Sequence, residues 1–139
     1  ARTPACLKVC PVGATYKDDM GRVEIHYDKC IGCRICMAAC PYNARVFNWS
    51  EPERDPNWNY GDKDVPVRPK GVAEKCTLCK ERTDRGDIPM CVRVCPGRAR
   101  VYGDLDDPES EISKVVRENH AYQLLEEFGT RPQLRYYNA

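Results

Sequence analysis

The sequence predicts an α+β fold in which one small cysteine-bearing unit recurs, with long irregular loops between copies and a helical C-terminal tail. Three observations predict it. Ten of the 139 residues are cysteine, set in short phrases of fixed spacing. Two of those phrases share the pattern P-x-C-x-[KR]-V-C-P-x-x-A. Only 9% of the chain is aromatic, so the apolar core is small and something covalent must support it.

The repeat is Pro4-Ala-Cys6-Leu-Lys-Val-Cys10-Pro11-Val-Gly-Ala14 against Pro89-Met-Cys91-Val-Arg-Val-Cys95-Pro96-Gly-Arg-Ala99. A related tail is Cys40-Pro41-Tyr-Asn-Ala44-Arg45. Similarity of this kind marks a duplicated structural unit. Proline ahead of each cysteine pair pre-sets helical geometry. Proline after the last cysteine prevents the helix from continuing.

Residues 13–27 read as a hairpin. Val23, Ile25 and Tyr27 alternate with Arg22, Glu24 and His26, the period of a half-buried strand, and Asp18-Asp19-Met20-Gly21 supplies the turn. Such a sheet would shield whatever the cysteines hold, and burial helps set a reduction potential. Residues 48–75 contain Pro52, Pro56, Pro66 and Pro69 with many charges, and read as one long irregular loop. Trp49, Trp58 and Tyr60 within that stretch serve either a partner subunit or the chain's own core. Pro108 to Asn119 reads as a helix capped by Asp107, with Ile112, Val115 and Val116 on one face. A second short helix is expected over Ala121 to Phe128, ended by Gly129, and an extended tail from Arg131 to Ala139.

Cys30-Ile-Gly-Cys33-Arg-Ile-Cys36-Met-Ala-Ala-Cys40-Pro41 reads C-x2-C-x2-C-x3-C-P, the bacterial ferredoxin run. Three closely spaced thiolates wrap one iron–sulfur cubane, and the fourth ligates a neighbouring cluster. Zinc prefers pairs of C-x2-C knuckles, and disulfides require no particular local spacing. Zinc and disulfides remain the alternatives. Cys76-Thr-Leu-Cys79 precedes Cys91 and Cys95, making a block C-x2-C-x11-C-x3-C-P. By the same logic Cys6 needs a C-x2-C partner upstream, so the chain is expected to be the C-terminal portion of something longer. Ten cysteines fill two and a half cubanes at four ligands each, an awkward count for a complete protein.

Several function classes are excluded. Formal net charge is +1, with no long run of one sign, so a nucleic-acid footprint is absent. No apolar run approaches the ~18 residues of a membrane span. His26 and His120 stand alone, whereas a Rieske centre needs two histidines on one iron. The spacing C-x3-C-x2-C of radical enzymes does not occur, nor does a nucleophile–base pair. Arg34, Lys75, Arg93 and Arg98 lie beside the cysteines in sequence, where they either raise a potential or make a solvated face.

Taken together, Cys30-Ile-Gly-Cys33-Arg-Ile-Cys36, Ala39-Cys40-Pro41-Tyr42-Asn43-Ala44-Arg45, Glu74-Lys75-Cys76-Thr77-Leu78-Cys79 and Val101-Tyr102-Gly103-Asp104-Leu105 with Asp107-Pro108 resemble a known family. It is the four-cluster, ferredoxin-like electron-transfer subunit of molybdopterin oxidoreductases of the dimethyl sulfoxide, polysulfide, thiosulfate and tetrathionate reductase types. The related subunit of alternative complex III is similar. The resemblance implies a duplicated ferredoxin-like fold of the bacterial 2[4Fe-4S] type and four [4Fe-4S] clusters in the intact subunit. It implies a non-catalytic role, with every cysteine a ligand. Cys10, Cys30, Cys33 and Cys36 would form one complete set. Cys6 and Cys40 would serve its neighbour, Cys76, Cys79 and Cys91 another cluster, and Cys95 one further off. A self-contained alternative pairs Cys30, Cys33 and Cys36 with Cys95, and Cys76, Cys79 and Cys91 with Cys40, stranding Cys6 and Cys10.

The implied organisation is a ferredoxin-like unit over 1–47, a connecting loop over 48–75, the remainder of a second unit over 76–107, and a tail over 108–139. The implied partners are a large molybdopterin catalytic subunit and a membrane anchor or cytochrome. Through them the protein would sit at a membrane, where such subunits occur on either face, with the extracytoplasmic face favoured over the cytoplasmic.

Overall fold

In the computed structural model, which describes residues 1–138, short helices and two small sheets punctuate long irregular stretches. The chain divides into two units, Pro4–Thr77 and Leu78–Ala139, the latter with Ala1–Thr3.

In the unit Pro4–Thr77, α1 (Ala5–Lys8) leads into an antiparallel hairpin, β1 (Thr15–Lys17) and β2 (Val23–Ile25), with Thr15 opposite Ile25. Helix α2 (Ile35–Ala38) follows and packs on α1. Then β3 (Val46–Phe47) pairs antiparallel with β4 (Ala73–Glu74).

The hairpin forms where alternation and turn residues predict it, but it is not half-buried. Arg22, Val23, Glu24 and Ile25 are all buried. On the polar face the buried Arg22 guanidinium is compensated, donating to the Asp18 carboxylate at 2.7 Å. The stretch 48–75 is also less irregular than its prolines suggest. Ala73 and Glu74 are a strand, and the loop is drawn shut at its base. There Asn48 donates its N–H to Val72 (3.0 Å) and accepts from Gly71 (2.8 Å). Its side-chain amide reaches the carbonyl of Arg68 (3.1 Å).

In the unit Leu78–Ala139, α3 (Lys80–Thr83) and α4 (Met90–Arg93) precede the longer α5 (Glu111–Glu118). Helix α5 starts later than expected, and its cap is Ser110, not Asp107. The Asp107 carboxylate accepts from the Glu109 N–H (2.9 Å) in a tight turn, and the Ser110 hydroxyl then accepts from the Ser113 N–H (3.3 Å). The helix expected over Ala121–Phe128 is reduced to a single 3-10 turn, Glu126–Phe128, because Tyr122 instead pairs with Tyr136. That pairing draws the tail back on itself. Thr130 and Arg131 then accept from the N–H groups of Thr3 and Arg2. Ala139, the last residue of the expected extended tail, lies outside the described residues.

The apolar interior is very small. Cys6, Ala14, Val23, Ile25, Val72 and Ala73 make it up, and all belong to the first unit. Among the described residues 78–138 the buried ones are Thr83, Pro89, Ser113, Thr130 and Pro132. A unit whose buried residues are two prolines, two threonines and a serine needs another source of cohesion.

Candidate iron–sulfur sites

All ten cysteines are free thiols. The repeat seen in the sequence is a repeat of local structure. Cys6, Cys36 and Cys91 each occupy the second position of a four-residue helix, and Cys10, Cys40 and Cys95 each stand two residues past its end. After each Cys-Pro the chain turns back. The N–H groups of Gly13, Asn43 and Arg98 donate to the carbonyls of Cys10 (3.3 Å), Cys40 (3.3 Å) and Cys95 (3.2 Å). All three turn residues have positive φ, at 61°, 50° and 47°. Glycine and asparagine suit that conformation, and arginine is strained in it.

The turn aims backbone N–H groups at sulfur. Ala44 donates to Cys40 Sγ at 3.4 Å. Burial pushes the Cys10 thiol up, but the amides of Thr15, Val12 and Ala14 and the Thr15 hydroxyl outweigh it and hold the thiol below its usual range. A depressed thiol supplies the thiolate that a metal requires.

Cys10, Cys30, Cys33 and Cys36 line a single recess. Thr15, Ile25, Ala73 and Arg45 are among the other residues of its wall. The C-x2-C-x2-C loop reaches it through two left-handed residues, Gly32 (φ 67°) and Arg34 (φ 62°), ahead of α2. Among the described residues no three His, Cys, Asp or Glu side chains are gathered around a point as a single ion requires. The four cysteines line one recess instead, and their spacing in the sequence is that of a polynuclear cluster.

Arg45 is a residue whose importance the sequence reading missed. It is 2% exposed, and its Nε, Nη1 and Nη2 are all buried without a hydrogen-bond partner. The only sequence signal was its place five residues after Cys40. At Cys36, burial pushes the thiol up, and the neighbouring Arg45 guanidinium pulls against that without overcoming it. An orphaned buried cation beside four thiols fits an anionic group in the recess.

The other basic residues divide. Arg34 is exposed, its guanidinium 5.4 Å from the Phe47 ring centre and 4.9 Å from that of Trp49. Burial pushes the Lys75 ammonium down, against the pull of Glu24, and the Lys75 Nζ donates to the Cys76 carbonyl at 2.6 Å. Arg93 pairs with Asp87, and Arg98 is exposed. His26 stacks on Tyr16 with ring centres 4.1 Å apart. Trp49, Trp58 and Tyr60 stay 66%, 62% and 71% exposed, so none packs into the core of its unit.

Two family models, each described as a 4Fe-4S dicluster domain, match residues 2–44 and 64–105. Over 133 residues the chain is 59% identical to a protein of Halobacterium salinarum provisionally named as the iron–sulfur subunit of a dimethyl sulfoxide reductase, covering 96% of this chain and 50% of that one. It is 41% identical over 157 residues to the iron–sulfur cluster-binding subunit of menaquinone reductase of Nitratidesulfovibrio vulgaris, 96% of this chain and 60% of the relative. It is 40% identical over 160 residues to the arsenate respiratory reductase iron–sulfur subunit ArrB of a Shewanella species, 94% of this chain and 68% of the relative.

The chain belongs to this family of 4Fe-4S dicluster iron–sulfur subunits of reductases. The expected resemblance thus holds, and so does the expected cofactor: such subunits carry [4Fe-4S] clusters. The chain spans only about half the length of the Halobacterium relative. No helix among the described residues is long and apolar enough to cross a membrane.

Proposed function

We propose that this subunit relays single electrons through [4Fe-4S] clusters between a large molybdopterin catalytic subunit and a quinone-reactive membrane anchor or cytochrome. The observation that carries the reading is the convergence of Cys10, Cys30, Cys33 and Cys36 on one recess. The fourth cysteine there is Cys10, one of the two that a self-contained two-cluster pairing would strand.

The remaining six cysteines, Cys6, Cys40, Cys76, Cys79, Cys91 and Cys95, are proposed ligands of neighbouring clusters. A [4Fe-4S] cluster, when bound, accepts and returns one electron with little change of shape. The chain does the rest. Cys10, Cys30, Cys33 and Cys36 hold the cluster in place. The amides around Cys10 stabilise its thiolate, and the buried hairpin strand keeps water from one wall. The exposed aromatics of the loop 48–75 and the tail 108–139 are the proposed docking surfaces for partner subunits. Membrane association through those partners follows from the same resemblance, and the extracytoplasmic face is proposed in preference to the cytoplasmic one.

The test is purification of the full-length protein with its native partners, followed by iron, labile sulfide and molybdopterin analysis. Both cofactors are expected, and Cys10→Ser should remove or convert one low-temperature EPR signal. Zinc in place of iron and sulfide, or a large partner without molybdopterin, would overturn the reading. An intact spectrum in Cys10→Ser, with loss in Cys95→Ser, would support the two-cluster ferredoxin instead.

A further inference from the structure

We propose that Arg45 is the fixed buried counter-charge of the cluster held by Cys10, Cys30, Cys33 and Cys36, and that it raises the reduction potential of that cluster. This rests on the ligand set proposed above. Arg45 is 2% exposed, and all three of its guanidinium nitrogens are buried with no hydrogen-bond partner. An arginine does not shed its proton in a protein, so the charge stays. A buried charge left unpaired is costly, and the fold retains it only where something compensates it.

The neighbourhood does not compensate it. Arg45 and Lys75 both act on the same buried region, and Glu24, 6% exposed, is the carboxylate that pulls on Lys75. Arg45 lines the recess that the four cysteines also line. A cubane with four thiolate ligands is anionic, and more so when it gains an electron. A fixed cation stabilises the reduced form more than the oxidised one, so the potential rises. Burial also makes the effect resistant to salt.

EPR-monitored redox titration of the intact complex tests this, with iron and sulfide content as a parallel readout. Arg45→Gln should keep the iron and sulfide and lower the midpoint of that cluster by at least 59 mV, a tenfold change in the one-electron equilibrium constant. Arg45→Lys should restore most of it, and the shift should persist at high ionic strength. An unchanged midpoint in an assembled Arg45→Gln protein overturns the proposal. If Arg45→Gln loses the cluster, Arg45→Lys and Arg45→Met decide. Assembly near the wild-type midpoint with Lys alone supports the counter-charge, and equal behaviour of the two overturns it. Cys10→Ser distinguishes the deeper failure. If that variant leaves the titrating signal untouched, the ligand set is wrong, whatever Arg45 does.

Discussion

The carbonyl oxygen of Gly71 occupies the place where a side chain on Gly32 would begin. A Cβ built on Gly32 would stand 2.2 Å from that oxygen and 3.3 Å from the Phe47 ring. The base of the long proline-rich loop thus lies directly on the cysteine loop that leads to the recess.

Gly32→Ala is therefore expected to displace that loop. The position has φ 67°, so the substitution meets backbone strain as well as a backbone clash. Gly71→Ala, with φ 86° but open space around it, isolates strain alone, about 1–2 kcal/mol. Iron content and thermal midpoint should both fall further for Gly32→Ala. Equal losses in the two variants would show that the close approach is unimportant.

Arg34 and Arg45 should differ in how salt affects them. The Arg34 guanidinium lies over Phe47 and Trp49 at the surface, where such contacts contribute roughly 0.5–1 kcal/mol. Arg34→Gln is expected to lower the midpoint of the nearby cluster less than Arg45→Gln does, and the difference from wild type should shrink in high salt. Potentiometry at low and high ionic strength checks it. A salt-independent Arg34 effect would contradict the assignment of the inner charge to Arg45.

Ser110→Ala should cost about 1 kcal/mol, the usual worth of a helix N-cap. The hydroxyl accepts from the Ser113 N–H (3.3 Å) and donates to the Asp104 carbonyl (2.6 Å). Asp107→Ala removes only the turn bond to Glu109 and should cost less. Denaturant unfolding of both variants measures the order, and the reverse order would restore Asp107 as the cap.

Asp87 gives a pH signature. The Ile88 N–H bonded to its carboxylate, with Arg82 and Arg93 beside it, holds the group below its ordinary value of 3.8. A depressed carboxylate stabilises the fold fully above 3.8 and loses that contribution as pH falls through the lowered value. The stability gap between wild type and Asp87→Asn should close on acidification in that window. A gap that stays constant with pH would remove Asp87 from the account.

Arg98 sits at φ 47° in the turn that glycine fills in the copy at Gly13. Arg98→Gly should relieve strain of about 1 kcal/mol, set against the greater backbone entropy that glycine loses on folding. Its unfolding midpoint is expected to match or exceed that of wild type. A clear drop would mean that the arginine side chain contributes contacts worth more than the strain.

The cysteine phrases, their repeat and the cofactor were legible in the sequence because ligand spacing is a local property. A four-residue helix with cysteine at its second position, and a Cys-Pro turn after it, needs only neighbours along the chain. The hairpin was legible for the same reason, since alternation and turn residues are local too. The short helix lost over Ala121–Phe128 was not, because Tyr122 takes its hydrogen bonds from Tyr136. Nor was the cap at Ser110, which depends on how the Asp107 turn spends its carboxylate. The company of Cys10 with Cys30, Cys33 and Cys36 was implied by the family resemblance, and the four line one recess. Tertiary structure alone decided that Gly71 closes on Gly32 and that Arg45 is buried without a hydrogen-bond partner. Those facts join segments far apart in the chain, and a charge becomes consequential only once folding has stripped its water away.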